Sequence, residues 1–580
     1  MECTPNSITQ FVNFNENLII PFFQRSYVWD VDQWDRLLED LKFASTTRRP
    51  HFLGSIILKE QKNDFGQRTG MLVIDGQQRL TTLAIFFKVF YLLTNQTLFF
   101  DRTFMRLDGT PVLKQSYTCM DDFNKIMKLT QLEDLSDYTS KSNIIQAYNH
   151  FRKELREILL IQDNKDENGK TILDMSLDML MTFVVMKVGD QEDEQQIFDT
   201  INSLGVKLST GELLKNHLFS NSEVEVYRSI WEDAFEANDE CIDFWDKTII
   251  TGRLGKKNIE IFLYYYIQIK SQESGLKVDK KQCRRWENLF ATYKSFIKDN
   301  NLDKIHIARE ICEYAKLYKA TFDPELANDD IPSEFGLARL NFIVQNLDST
   351  TIIPYVLYVI KNAENEEQRI KIYTFLEKYL LRRIVANSKS SNYSDLFTEN
   401  LIGQGINSYE KLVEYFKGKE STASLSIPSD DKVAFGFKDT EFKNNKRALS
   451  VLYLMESMMR SGYHATRLHK FEGYSLEHLM PKKWKKNWSE MPENVTPEIR
   501  EKVINTLGNM AMITSGLNSS ISNESWQNKK NGKNKHSGLI AFAADIETMH
   551  DVLNKDVWDE TTIAERAEWL AHKAVEMWSI

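Results

Sequence analysis

The chain has 580 residues, 42% of them hydrophobic and 27% charged, with a net charge of −10 and a pI near 5.7. That mix excludes global disorder, and the scarcity of Gly (23) and Pro (11) excludes collagen-like, β-repeat and linker-dominated chains. The acidity argues against a general nucleic-acid binder, whose first mark is a basic footprint. Five cysteines (Cys3, Cys119, Cys241, Cys283 and Cys312), none in a C-x-x-C pair, argue against a disulfide framework or a thiolate zinc site and suit a reducing compartment.

In chain order, Met1 to Gln10 shows neither a basic n-region nor an apolar run, so no secretory signal is expected. Phe52 to Leu58 (FLGSIIL) and Met71 to Ile74 (MLVI) are short, apolar and partly β-branched, which predicts two strands, with Asp64 and Gly66 suiting a turn between them. After Asp75-Gly76 an amphipathic run from Gln78 to Leu93 predicts a helix. Its stretch Leu83 to Leu93, broken by Lys88, is the most apolar in the chain and falls far short of the roughly 20 residues of a membrane span. A cytoplasmic protein with no membrane partner is therefore expected. From about 140 to 420, apolar residues recur at helical spacing, as in Ile261 to Ile269, Ile305 to Tyr318 and Ile370 to Ile384. Gly418 to Asp439 suits a linker. Arg447 to Met459 and Ile563 to Trp578 predict two further helices.

Two constellations carry chemistry. The first is VIDGQQRLTTL, Val73 to Leu83. Gly76 permits a tight turn, the following helix start offers unpaired N–H groups to an anion, and Arg79 adds a fork of donors matched to phosphate. Thr81 and Thr82 add hydroxyls, and Asp75 can hold a metal or orient a water. A helix capped by Asp75, with Arg79 paired to an acidic neighbour, explains the same residues equally well. Neither Walker A nor G-x-G-x-x-G is present. Upstream, IPFFQRSYVWD (Ile20 to Asp30) sets Arg25 among Phe22, Phe23, Tyr27 and Trp29, where its charge needs a partner such as phosphate.

The second constellation is Glu477-His478-x-x-Pro481, then Asn509, Asn518 and Lys529 at intervals of 31, nine and eleven residues from His478 onward. Phosphodiester hydrolysis needs a base for water, a cation near the phosphate and a group to hold the strand. His478 titrates near neutrality and suits the base. Glu477 and Asn518 offer hard oxygens for Mg²⁺ or Mn²⁺. Asn509 can orient the histidine, and Lys529 can contact phosphate. Singly, each residue has a plainer reading: Asn509 as a turn residue, and Lys482, Lys483, Lys485 and Lys486 as a solvated face. From Leu476 to Ile540 there are ten Lys and Arg against six Glu and no Asp, a local net of +4. Trp484, Trp488 and Trp526 lie among these lysines, which suits either a DNA-facing surface or a small core; for Trp526 the core is favoured.

The series PFFQRSYVW, HFLGSIIL, VIDGQQRLTTL and IFDTINSLGVKLSTGELLKN (Ile197 to Asn216) resembles the N-terminal domain of GmrSD-type restriction endonucleases, of the ParB/sulfiredoxin-like superfamily. The resemblance implies an NTP-hydrolysing domain that senses modified DNA, with Gln24, Arg25, Asp75, Gly76, Gln77, Gln78 and Arg79 lining the nucleotide site and Asp75 and Arg79 taking part in turnover. Asn202, Gly205 and Lys215 fall in its fourth block, where a loop and helix start packing beside the site is the plainer role. The later set resembles the family's HNH (ββα-metal) nuclease, whose pattern runs [DE]-H-x-x-P, L-G-N, L-N-S and K. Many HNH enzymes carry Asp before the base and a final His ligand; this chain has Glu477 and Asn518.

The resemblance thus implies a multidomain chain, predominantly α. It places an α+β ParB/sulfiredoxin-like NTPase and sensor domain at 1–220, a helical spacer at 221–420 and an HNH endonuclease at 421–580. Within the spacer, Arg382 and Arg383 are expected to contact DNA or the N-terminal domain. The function implied is NTP-regulated (GTP or ATP), Mg²⁺- or Mn²⁺-dependent cleavage of double-stranded, modified phage DNA in antiphage defence, with homo-oligomerisation left open. An SspE-type effector that senses phosphorothioate and nicks DNA, or a nucleotide-gated DNA-binding protein with an inactive nuclease module, are the alternatives.

Overall fold

The structure, a computed structural model, describes residues 2–14, 17–21, 24, 26–62, 67–135, 142–189, 209–219, 223–251, 254–328, 330–419, 424–460, 468–521, 523–533, 536–542, 546–549 and 552–580. Arg25, the turn at Asp64 and Gly66, and Asn202 and Gly205 lie outside the described residues. The chain is multidomain and mostly helical, as expected. It divides into two compact units, Met1–Glu236 with Leu302–Ala308, and Ala237–Asn301 with Arg309–Ile580. The stretch expected as a spacer falls almost wholly in the second unit, together with the C-terminal region.

The first unit is built on a six-stranded mixed sheet of order β1-β6-β3-β4-β2-β5. Its strands are β1 (Glu2–Ser7), β2 (Leu18–Ile19), β3 (His51–Lys62), β4 (Arg68–Asp75), β5 (Leu113–Lys114) and β6 (Met181–Val188). The two predicted strands are thus the cores of β3 and β4, which pair antiparallel with Ile57 opposite Asp75. Helix α1 (Val31–Thr47) starts with a capping box, in which Asp30 accepts from the Asp32 amide (3.0 Å) and Gln33 accepts from the Asp30 amide (2.9 Å). Helix α2 (Gln77–Leu93) is buried on almost every side, so the expected polar face is absent. Phe86 stacks on Phe90 and meets Phe151 of α3 (Asn143–Arg156) edge-on. Even Lys88 is inside, its Nζ 4.4 Å from the Phe100 ring centre.

The second unit begins with a helix, Asp239–Asp246, and a hairpin, β7 (Thr248–Thr251) and β8 (Leu254–Lys257), leading into α4 (Asn258–Lys270). Helices α5 (Leu337–Asn346), α6 (Glu366–Val385), α7 (Asp430–Asp439) and α8 (Asn445–Met459) follow. Arg339 joins three of them: it forms a fully buried ion pair with Glu377 (2.6 Å) and donates to Ser457 Oγ (2.7 Å). The second half of the expected linker is α7, because Ser429 caps it by accepting from the Lys432 amide. Arg382 and Arg383 are corrected too. Both are buried, with their guanidinium groups donating to the carbonyls of Pro428 and Trp578, and of Lys389, Ser424 and Ser426, respectively. They hold the chain leading into α7 rather than facing DNA.

In the C-terminal region β9 (Tyr474–His478) and β10 (Met510–Thr514) are separated in sequence by a helix, Pro497–Ile504, and are followed by α9 (Ser515–Ile521), α10 (Trp526–Asn531) and α11 (Glu560–Met577). β9 and β10 pair antiparallel with His478 opposite Met510. Among the described residues, no helix is long and apolar enough to cross a membrane.

Candidate functional site

At the N-terminal site, β4 ends at Asp75 and α2 begins at Gln77, with Gly76 between them at φ 100°. That left-handed turn favours glycine, and an added Cβ would lie 3.0 Å from Ile56 Cγ1. No side chain caps α2, so Asp75 is not its cap. The segment before α1 is laced across this turn. Buried Gln24 donates from Nε2 to the Ile74 carbonyl (3.0 Å). Gln78 accepts from the Val28 amide (3.0 Å) and donates to the Ser26 carbonyl (3.1 Å). Tyr27 Oη lies 2.6 Å from Thr82 Oγ1 and accepts from Trp34 Nε1 (2.7 Å). Gln24, Asp75, Gly76, Gln77, Gln78 and Arg79 therefore gather where β4 meets α2.

Arg79 has a built seat. Its Nη1 donates to the Leu53 carbonyl (2.6 Å), and Nη2 reaches Asp75 Oδ2 at 3.5 Å. Gly54 of β3, at φ 104°, leaves the space: a Cβ there would stand 2.1 Å from Arg79 Nη1. Burial lowers the guanidinium pKa, and Asp75 opposes the shift. Gly54 was legible only as a glycine inside a strand, the usual mark of a close approach. Gln115, which donates to Thr81 Oγ1 (2.7 Å), carries no sequence signal. Lys215 is buried and paired with Glu236 (3.0 Å), which fits the packing role.

At the C-terminal site, β9 brings Glu477 and His478 to the end of the hairpin, and Pro481, lacking an N–H, cannot extend the ladder. His478 is 9% exposed, and its Nε2 has no hydrogen-bond partner. Burial, with Lys482 and Lys529 nearby, lowers its pKa to about 4, so the ring is neutral at physiological pH.

Two assignments need correction. Asn509 does not orient His478. Its Oδ1 accepts from the Met480 amide (2.8 Å) and Trp558 Nε1 (3.0 Å), and its Nδ2 donates to the carbonyls of Met480 (2.9 Å) and Ile504 (3.0 Å). All its hydrogen-bonding capacity goes into positioning the loop after His478. Lys529 is fully buried, paired with Glu477 and donating to the His478 carbonyl (2.9 Å). It faces the site from inside and is not presented to a DNA backbone.

Asn518 donates from Nδ2 to Ser475 Oγ (2.8 Å) and the Leu476 carbonyl (3.2 Å), which turns α9 towards β9. Sequence reasoning missed Ser475, Trp558 and Arg566. Arg566 of α11 is buried and donates to the carbonyls of Gly508 and Met510, each at 2.8 Å, bracing the start of β10. Trp526 is buried and stacked on Trp558 with ring centres 5.2 Å apart, so it is core.

Among the described residues, no group of three or more His, Cys, Asp or Glu is arranged to hold a metal ion. Glu477 is held by Lys529, and the Asn518 amide is committed to Ser475 and the Leu476 carbonyl, leaving their oxygens as the hard donors on that side of β9. A divalent ion there would have to share Glu477 with Lys529 and keep most of its waters.

Comparison with known proteins returns two matches in the order of these sites. Residues 8–219 match the model of the GmrSD restriction endonuclease N-terminal domain, and residues 427–573 that of the C-terminal domain of GmrSD restriction endonucleases. No curated protein matches the chain.

Proposed function

Because the chain belongs to the GmrSD restriction endonuclease family, we propose that it is an NTP-regulated, divalent-metal-dependent DNA endonuclease of HNH type that attacks modified phage DNA in antiphage defence. The observation that carries the reading is His478: a buried imidazole at a strand end, held neutral, with a ring nitrogen left unpaired. Buried polar atoms are rarely left unsatisfied, and a catalytic role is one accepted reason. The antiparallel pairing of β9 with β10, followed directly by α9, supports the HNH assignment.

The chemistry proceeds from these residues. A scissile phosphate entering beside His478 raises the ring's proton affinity through its negative charge, moving a weak base towards useful strength. His478 Nε2 then takes a proton from the attacking water. Lys529 fixes the Glu477 carboxylate and the His478 backbone, so neither reorganises during reaction. A divalent ion held by Glu477 and Asn518 would supply charge neutralisation at the phosphate and leaving oxygen.

For the nucleotide site, the left-handed Gly76, the uncapped start of α2 and the seated Arg79 together suit a polyphosphate, with GTP and ATP as candidates. Wild type is expected to cut at least one modified phage DNA with Mg²⁺ or Mn²⁺ and NTP, and His478→Ala to lose cutting by about 10³-fold or more. No cutting by wild type across a panel of glucosylated, phosphorothioated and plain DNAs would overturn the reading, as would full activity of the variant.

A further inference from the structure

The surroundings of His478 rest on a segment outside both motifs, Lys555 to Trp558, just before α11. His478 Nε2 is unpaired, so no bond to that nitrogen holds the ring, and its main chain sets where it stands. Outside the β9–β10 ladder, that main chain is gripped at consecutive residues. Lys529 donates to the His478 carbonyl (2.9 Å), and the Leu479 amide donates to the Asn509 carbonyl (3.0 Å). The Asn509 side chain then takes both the amide (2.8 Å) and the carbonyl (2.9 Å) of Met480. The position of the imidazole thus follows the positions of Lys529 and Asn509.

Both lean on the same segment. Lys529 belongs to α10, a helix of six residues with no side-chain cap, too short to be stable by itself. Its supports come from Lys555 and Asp556. The Lys555 carbonyl accepts from Trp526 Nε1 (3.1 Å) and Lys530 Nζ (2.8 Å), and the Asp556 carbonyl accepts from Gln527 Nε2 (2.9 Å). Trp558 adds its ring, stacked on Trp526 with centres 5.2 Å apart.

The Trp558 indole N–H serves the other support, donating to Asn509 Oδ1 (3.0 Å). A buried indole needs an acceptor, and here the acceptor is a side chain that also grips Met480. Because an indole nitrogen can only donate, this bond fixes which end of the Asn509 amide faces Trp558 and leaves Nδ2 for the Met480 carbonyl. Trp558 is 2% exposed and anchored from behind, where Asp559 caps α11 and Glu560 pairs with Arg500.

We propose that Trp558 is a positioning residue for phosphodiester hydrolysis: through Asn509 it holds the His478 main chain, and with it the imidazole, against the attacking water. The proposal rests on the endonuclease reading above and deepens it. Trp558 is buried away from DNA and acts on the reacting atoms only through Asn509 and His478.

The test uses the full chain with Trp558 replaced by 3-benzothienylalanine, which keeps the bicyclic ring and its stack on Trp526 but carries sulfur where the indole has N–H, and in parallel Trp558→Phe. Cleavage is measured per DNA-binding molecule, so that loss of folded protein does not count. Removing the N–H is expected to lower kcat about tenfold or more, because a small misplacement of a catalytic group is costly, while KM for DNA stays within about twofold. 7-Azatryptophan at the same position restores the donor and is expected to restore kcat. On a His478→Ala background, the benzothienyl replacement is expected to take nothing further from the residual cutting, since its effect runs through that ring. Unchanged kcat, a rise in KM with kcat intact, no rescue by 7-azatryptophan, or an equal loss on the His478→Ala background would overturn the proposal while leaving the endonuclease reading intact. A wild type that cuts no DNA would overturn both.

Discussion

Buried charge is the main energetic cost at the level of single residues, and it is handled in two ways. Lys529 and Glu477 share one desolvated site. Burial pushes each towards its neutral form, and the ion pair resists this. Lys529→Met strands a buried carboxylate and is expected to cost about 3–5 kcal/mol. The double change with Glu477→Gln is expected to recover most of that loss in urea unfolding; equal instability of both variants would mean that the lysine acts through packing alone. Lys88 lacks such a close partner. Burial lowers its pKa to about 8, with Asp101 only partly opposing. Below about 8 the folded state carries the charge at full cost, about 3 kcal/mol relative to a free lysine near 10.4. Between those values the unfolded chain binds more protons, so stability should rise with pH through this window and then level off. Lys88→Met is expected to flatten this dependence and to stabilise the protein at neutral pH, as measured by unfolding at a series of pH values.

Strands and helices show what periodicity can and cannot reveal. The cores of β3 and β4 and the body of α2 were legible because short β-branched runs and a long apolar run have few other solutions. The burial of α2 on all sides was not, since Gln77, Gln78, Thr81 and Thr82 look like a polar face until Gln115, Tyr27 and the 26–28 backbone arrive to satisfy them. Nor was the helical half of the linker, where a Ser-Ile-Pro-Ser-Asp run reads as loop although Ser429 is a cap. In the candidate sites the residue types were readable, but their partners were not. Asn509 and Lys529 stand in the motif, yet their bonds go to Trp558, Met480 and Glu477, contacts fixed by tertiary packing. Gly54 makes the same point between a strand and a helix. Gly54→Ala places a Cβ in the Arg79 seat and imposes a left-handed backbone on a non-glycine residue, at a cost of roughly 1–3 kcal/mol. NTP turnover is expected to fall with it, to the level of Arg79→Ala. A Gly54→Ala protein with normal turnover would remove Arg79's present position from the mechanism.

Across the whole molecule, charge is divided unevenly: +4 over Leu476 to Ile540 and −14 over the remainder. The acidic balance therefore leaves the segment that carries Glu477 and His478 locally basic. Replacing Lys483 and Lys485 with Gln is expected to weaken binding of all DNA sequences alike and to reduce the slope of log affinity against log salt by about 0.9 per lysine. An unchanged slope would show that these exposed lysines face solvent only. The hairpin bearing His478 is braced at Gly508 and Met510 by Arg566, which follows them by more than fifty positions. During translation this brace arrives well after the hairpin has been made, so the ribosome-bound chain passes through a stage in which the His478 motif exists without its final support. The geometry at the end of β9 is therefore completed only once α11 has been made.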